Sequence, residues 1–320
     1  MDFPGNSRFA SFVRADFEYS RVEDHPLIAS VLSPRKAEES AQRQSPVLVF
    51  WHGGGFVVGG RLYEPWWSEW LIEYALSQDA IIVAPDYRLL PEATGADIFD
   101  DVEAFWIWLH KSLPSLAQSN SWHAKPDLTR ILCVGQSGGG SMAVHSALLH
   151  PEFNIKAIVS LYAPLYHNVP NLTVPRPRRI LGTMPPPPRK AEGLIRSYIK
   201  QSKGSVRTGG DPLDMWELLL CLLQQGRLIS LMNLKPDSRL DTPSLLRQVG
   251  KLPPLWLIHG EDDSVIPFKC SEMFLDELRV IAPSTSVLVS ARTGEHNFDT
   301  SLTMKEDWIR NGCDFLSTHW

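Results

Sequence analysis

The stretch ILCVGQSGGGS, residues 131 to 141, passes from an apolar run into the pattern G-x-S-x-G, Gly135 to Gly139. ILCV reads as a buried strand and the residues after Gly138 as the start of a helix. Glycines on both sides of Ser137 permit a tight strand-to-helix turn that lifts the serine hydroxyl out of a sheet, and the new helix aims its amino-terminal dipole at that hydroxyl. Alone the pattern is weak. Between a strand and a helix it points to a nucleophile.

Working outward, the runs VLVFW (47 to 51), IIVA (81 to 84), AIVSLYA (157 to 163), LWLI (255 to 258) and SVLVS (286 to 290) are, like ILCV, apolar on both faces. Strands buried in a parallel sheet have this composition. Between IIVA and ILCV, Ile98, Val102, Phe105 and Leu109 follow one another at helical spacing and form one apolar stripe, so the unit is β-α-β. Repetition of such units predicts an α/β fold, a mostly parallel central sheet flanked by helices. FVRADFEYS and HPLIASVLS are expected to form an antiparallel edge. No internal repeat is visible.

Composition limits the functions. The 320 residues are 43% hydrophobic and 21% charged, with a net charge of −5, which gives no general attraction for nucleic acid or an anionic membrane. No apolar run approaches the roughly 18 residues a membrane-spanning helix needs. The opening MDFPGNSRFASFVRADFEYS has neither a basic n-region nor an apolar h-region, so a cytoplasmic location is expected. Cys133, Cys221, Cys270 and Cys313 are far apart with no CxxC pair, which suggests buried thiols and neither a disulfide framework nor a metal site.

A serine at its free pKa is a poor nucleophile and needs a base with a group to orient it. After LWLI comes HGEDDSVIP, residues 259 to 267, and after SVLVS comes GEHNF, residues 294 to 298. Ser137, an acid in the first loop and His296 fall in the order nucleophile, acid, histidine. Glu261, Asp262 and Asp263 compete for the acid; Asp263, four residues after His259 and four before Pro267, lies furthest into the loop and is chosen. FWHGGGFVVGG, residues 50 to 60, places three glycines where another strand ends. Glycines there turn backbone N–H groups inward, as a developing oxyanion requires, and the amide of Gly138 joins them. A dinucleotide site is the other glycine-rich possibility, but neither glycine run contains G-x-G-x-x-G. No cofactor or metal is expected.

HGGGF, DYRLLPE (86 to 92), GQSGGG, HGEDDSVIP and GEHNF together resemble the hormone-sensitive-lipase-like branch of the α/β-hydrolases, in order from about residue 47 to 300. The resemblance implies that Gly54, Gly55 and Gly138 supply the oxyanion N–H groups, with His52, Asp86 and Arg88 supporting the loop. The elbow departs from the family form at Gln136 and Gly138, where aspartate and alanine are common; this leaves the backbone chemistry and changes the pocket beside the serine.

From about Leu165 to Gly250 the strands stop. A proline-rich basic stretch, VPRPRRILGTMPPPPRK, precedes a helix candidate, DMWELLLCLLQQGRLISLMNL, with Asp211 and Pro212 as its start signal. The expected organisation is a hydrolase core of residues 1–164 and 251–320 with a cap of residues 165–250; a surface decoration without a substrate role is the alternative. Little chain precedes the first strand, so the roof is expected mainly from this insertion. Phe56, Tyr63, Trp67 and Trp216 are expected at the pocket, among more apolar surface, including Trp66, Trp70 and the leucines of the helix candidate, than a small acetate ester needs. Arg176, Arg178, Arg179, Arg189 and Lys190 read either as a solvated loop or as acceptors for an acidic substrate or a carrier protein's phosphopantetheine. The expected function is a serine hydrolase acting through an acyl-enzyme on the carboxylic ester of a medium-sized apolar or aromatic acyl group. A thioesterase or acyltransferase that releases or lactonises a polyketide-type chain is the alternative, with a carrier-bound substrate. A ligand receptor on the same scaffold is a third, disfavoured by the complete triad.

Overall fold

A computed structural model describes residues 2–35, 43–120, 122, 124–166, 168–234 and 237–320. Residues 1, 36–42, 121, 123, 167, 235 and 236, three of them in the expected cap, lie outside the described residues. Eight strands form one sheet: β1 (Phe12–Val22), β2 (His25–Pro34), β3 (Arg43–Trp51), β4 (Ile81–Pro85), β5 (Ala124–Gln136), β6 (Ile155–Leu161), β7 (Leu255–Gly260) and β8 (Val287–Arg292). Their order is β1-β2-β4-β3-β5-β6-β7-β8. β1 pairs antiparallel with β2 and β2 antiparallel with β4, whereas every other pairing is parallel. The six apolar runs therefore are strands, and the first two segments are the antiparallel edge.

The run SVLVS, apolar on both faces in the sequence, is not buried on both: in β8 Val289 is 38% exposed, because β8 is the last strand of the sheet and has only β7 beside it. Its apolar residues cover β7 from one side.

Among the described residues, ten α-helices accompany the sheet: α1 (Glu69–Ser77), α2 (Gly95–Ser119), α3 (Gly138–Leu149), α4 (Pro170–Thr173), α5 (Pro188–Gln201), α6 (Trp216–Gln224), α7 (Leu228–Met232), α8 (Thr242–Val249), α9 (Lys269–Ile281) and α10 (Asp307–Ser317). α2 starts at a capping box in which Thr94 and Asp97 each bond the other's backbone. Its stripe Ile98, Val102, Phe105 and Leu109 is buried and continues to Leu113 and Ala117 beyond Pro114. An interior proline costs about 3 kcal/mol. Burying one Leu, Ile or Phe returns roughly 1.5–3 kcal/mol, so the stripe carries the helix through.

Between β6 and β7 lie α4 to α8 and, among the described residues, no strand of the sheet. The single helix expected over residues 214–234 is two helices: after α6 the chain turns left-handed at Gly226 (φ 59°) and restarts as α7. Asp211 caps the turn before α6, accepting from the Leu213 amide at 2.9 Å. α8 packs on α3 and α9 of the core, with Leu245 and Leu246 buried. All four cysteines are free and buried, and burial pushes the thiols of Cys133, Cys270 and Cys313 up to about 12 and that of Cys221 to about 11. Among the described residues, no helix is long and apolar enough to cross a membrane.

Candidate active site

Ser137 stands between β5 and α3 with φ 52° and ψ −125°, a conformation that L residues rarely adopt. Two fixtures impose it. The Ser137 N–H bonds the Leu161 carbonyl at the end of β6 at 2.8 Å. The flanking glycines let α3 descend onto the sheet, since a Cβ on Gly139 would lie 2.1 Å from the Trp51 carbonyl oxygen. The serine side chain makes no capping bond to α3 and faces a cavity instead.

His296, in the loop after β8, lines the same cavity. Its Nδ1 lies 2.7 Å from Oδ2 of Asp263, in the loop after β7. Oδ1 of Asp263 accepts the amides of Val265 and Ile266, each at 2.8 Å. Burial works to raise the Asp263 pKa, but His296 and His259 beside the carboxylate prevail and leave it well below the usual carboxylate range. Of the competing acids, Glu261 is exposed, and Asp262, also exposed, accepts the Gly294 amide at 3.1 Å. The structure thus brings Asp263 to His296, and Ser137 and His296 to one cavity.

Gly53, Gly54, Gly55 and Gly138 line that cavity beside Ser137. Gly54 and Gly55 have φ of 103° and 61°. The Gly138 amide occupies the first position of α3, where a helix leaves its N–H groups without an internal acceptor. Behind the loop, Asp86 accepts the Arg61 amide at 2.8 Å and also the Arg61 guanidinium, which fastens the loop's far end. The buried His52 stacks on Tyr87 with centroids 4.3 Å apart, and burial lowers its pKa against the opposing pull of Asp86. Arg88 faces away from the glycines: it pairs with Asp101 at 2.8 Å and locks the 86–92 turn to α2.

The pocket expectations divide. Phe56 and Trp216 line the cavity, as does Trp66. Tyr63 does not; its ring packs edge-on against Trp66 at 4.9 Å. Trp67 is core, stacked on Phe50 at 3.8 Å, because its side of the chain faces α1 and the sheet. Trp70 is core too, its indole N–H bonded to Asp299 at 2.8 Å. None of Arg176, Arg178, Arg179, Arg189 and Lys190 lines the cavity. Arg178 instead bonds the Ser264 carbonyl and, with the Leu181 amide on Ser264 Oγ at 2.8 Å, ties the segment between β6 and β7 to the loop after β7.

Four supports had no signal in the sequence strong enough to single them out. Glu295, next to His296, accepts the amides of Ser264 at 2.6 Å and His296 at 2.8 Å, so one carboxylate joins the loops after β7 and β8. Tyr162 sets its ring edge-on to His296 at 4.7 Å. Asp299 accepts from Ser68 and Trp70, and burial raises its pKa. Arg207, from the segment between β6 and β7, bonds Glu92 at 2.8 Å and the Val57 carbonyl at 2.6 Å.

The cavity measures about 130 Å³, and among the described residues its wall is apolar apart from the glycine backbone, Gln136, Ser137, His296, Asn297 and the Trp66 and Trp216 indoles. A nucleophile elbow at the carboxyl end of the sheet, with this strand order and a helical insertion after β6, defines an α/β-hydrolase. The family described as the alpha/beta hydrolase fold matches residues 48–206. The chain is 93% identical over 188 residues to "Probable carboxylesterase clz11" of Cochliobolus lunatus, covering 59% of this chain and 86% of that protein. It is 26% identical over 353 residues to "Non-reducing polyketide synthase ascC" of Acremonium egyptiacum, covering 98% of this chain and 16% of the synthase, so it spans about a sixth of that relative's length. Among solved structures, an alpha/beta hydrolase superfamily protein from Enterococcus faecalis superposes with a TM-score of 0.61 at 18% identity, over 96% of this chain and 97% of that one. This chain belongs to the α/β-hydrolase fold family as a carboxylesterase-like member.

Proposed function

We propose that the chain is a serine hydrolase that cleaves a neutral carboxylic ester through an acyl-enzyme. One observation carries the reading: His296, with Asp263 at 2.7 Å from its Nδ1, lines the same cavity as Ser137. Ser137 Oγ attacks the ester carbonyl and gives its proton to His296 Nε2, while Asp263 stabilises the imidazolium from the other side. The carbonyl oxygen becomes an oxyanion received by the Gly54, Gly55 and Gly138 amides. His296 returns the proton to the departing alcohol, then activates water to release the acid and free Ser137. Side chains and backbone amides perform every step.

In this reading the segment 165–250 is the cap: α4, α6 and α7 roof the cavity and α8 anchors it to the core. The apolar wall suits a medium-sized apolar or aromatic acyl group, a small-molecule substrate. A cytoplasmic location belongs to the same reading, supported by four free cysteines. The near full-length match to a polyketide synthase favours a second reading of donor and acceptor, in which a thioester, free or on a carrier protein, loads Ser137 and an internal hydroxyl replaces water. Intact-mass measurement after exposure to acyl esters and thioesters tests both. An acyl adduct on the native protein that is absent from Ser137→Ala is expected; an adduct retained by the folded Ser137→Ala protein defeats the assignment. Adducts from thioesters alone select the second reading.

A further inference from the structure

Two side chains in the cavity take no part in acyl transfer. Gln136 immediately precedes Ser137 and Asn297 immediately follows His296, and both line the cavity. Neighbouring Cα atoms are about 3.8 Å apart, so both carboxamides start beside the reacting centre. Gln136 is 2% exposed, its outlet being the cavity itself. Among the described residues, neither carboxamide has a hydrogen-bond partner in the protein. The remaining wall is supplied by residues such as Leu172, Ile180, Leu219, Leu223, Ile229 and Val265, and among the described residues no acid, lysine or arginine lines it.

A carboxamide facing an apolar cavity without a partner costs about 1–3 kcal/mol when an occupant cannot bond it. A site built this way rejects a wholly apolar occupant by leaving the amide unpaired, and rejects a charged one for want of a counter-charge. We propose that Gln136, together with Asn297, selects the substrate: a neutral ester with an apolar body that carries a hydroxyl or keto oxygen within a few carbons of the reacting carbonyl. The carboxamide N–H donates to that oxygen and its C=O accepts from a hydroxyl, so one side chain serves both forms. Gln136 is also where the elbow departs from the aspartate common in similar proteins. An aspartate there would bring a charge, whereas the glutamine keeps the cavity neutral. The inference rests on the hydrolase reading for its substrate, and its test separates the two.

Turnover of p-nitrophenyl 3-hydroxyoctanoate and p-nitrophenyl octanoate is compared in the native protein, Gln136→Met and Asn297→Gly. Methionine keeps the length and removes the hydrogen bonds, while glycine suits the φ of 64° at Asn297. One hydrogen bond predicts a native kcat/KM ratio of about 10 in favour of the hydroxylated ester. The ratio should fall to about 1 in Gln136→Met, through loss on the hydroxylated ester, and part of the way in Asn297→Gly. The same pair is titrated into Ser137→Ala with and without Gln136→Met, following the fluorescence of Trp66 and Trp216 in the cavity wall. Tenfold tighter binding of the hydroxylated ester, lost with Gln136→Met, supports the proposal without any chemistry. If the native protein hydrolyses neither ester, the hydrolase reading fails and the binding arm still decides this one. Equal binding of both esters by Ser137→Ala, or a native preference that survives both Gln136→Met and Asn297→Gly, overturns it.

Discussion

Oδ2 of Asp263 lies 2.7 Å from Nδ1 of His296, while Oδ1 of the same carboxylate accepts the amides of Val265 and Ile266 at 2.8 Å. One oxygen orients the imidazole and the other fixes the carboxylate to its own loop. Asp263→Asn keeps the size but offers an N–H where an acceptor is needed, so kcat/KM on a p-nitrophenyl ester should fall by about 10³–10⁴-fold. Asp262→Asn and Glu261→Gln should stay within about threefold, since both side chains are exposed and neither touches His296. Circular dichroism must show all three folded; a greater loss in Asp262→Asn than in Asp263→Asn would reassign the acid.

The same carboxylate sets a pH dependence of stability. Burial pushes the Asp263 pKa up, yet His296 and His259 outweigh it and hold it well below the ordinary range. A carboxyl whose folded pKa lies below its unfolded value of about 3.9 stabilises the fold above that value and loses the contribution as pH falls towards the folded pKa. Melting curves between about pH 7 and pH 3 should therefore drop more steeply on acidification in the native protein than in Asp263→Asn. Parallel curves would mean that the carboxylate is not held in its charged form by folding.

Ser137, the proposed nucleophile, has a strained backbone. Its φ of 52° with ψ of −125° costs about 1–3 kcal/mol in a residue with a Cβ, against the roughly 0.4–1 kcal/mol that glycine loses through a freer unfolded chain. Ser137→Gly should be inactive and more stable than Ser137→Ala, which keeps the strain, by about 1 kcal/mol in urea unfolding. Equal stability of the two would show that the elbow is relaxed.

These relationships were legible in the sequence to different depths. The strands were, because parallel strands buried on both faces leave unbroken apolar runs, and the residues following those runs include Ser137, Asp263 and His296, the triad proposed above. β8 misled because an apolar run carries no mark of whether one neighbour or two lies beside it. Trp67 misled for a related reason: within Tyr63–Trp70 composition alone cannot tell the residue facing the cavity, Trp66, from its neighbour facing α1. The break after α6 rests on the backbone of Gly226, which a leucine-rich periodicity conceals. The clamps by Glu295 and Arg207 join loops far apart in the chain, and neither has a local pattern.

The two glycines proposed to receive the oxyanion, Gly54 and Gly55, should differ in tolerance. A Cβ on Gly54 would sit 2.0 Å from the Val58 carbonyl oxygen, whereas one on Gly55 would meet the end of the Leu219 side chain at 2.9 Å. Backbone cannot yield as a leucine methyl can. Gly54→Ala should cost about 10²–10³-fold in kcat by displacing an oxyanion donor, and Gly55→Ala about tenfold, with both proteins folded. The reverse order would place the donor elsewhere in the glycine run.

Arg207 tests how the cap is fastened. Its guanidinium bonds both oxygens of Glu92 at 2.8 and 2.9 Å and the carbonyls of Val57 and Leu90 at 2.6 and 2.7 Å, while Tyr198 of α5 adds a hydroxyl bond to Glu92 at 2.6 Å. The Glu92 side chain is 3% exposed. Removing the arginine strands a buried carboxylate, so Arg207→Met should destabilise the protein by roughly 3–5 kcal/mol. Adding Glu92→Gln removes the uncompensated charge, and the double variant should recover more than half of that loss. Arg207→Lys should fall between, since an ammonium cannot match the two-pronged contact. The pair joins the proposed cap to the 86–92 turn, and Val57 donates its amide to the Gly54 carbonyl at 3.0 Å, so the same cycle measured on kcat/KM reports whether docking of that segment reaches the glycine loop. Recovery of stability with recovery of rate ties the two together; recovery of stability while the rate stays low shows that the guanidinium is needed on the Val57 carbonyl in its own right.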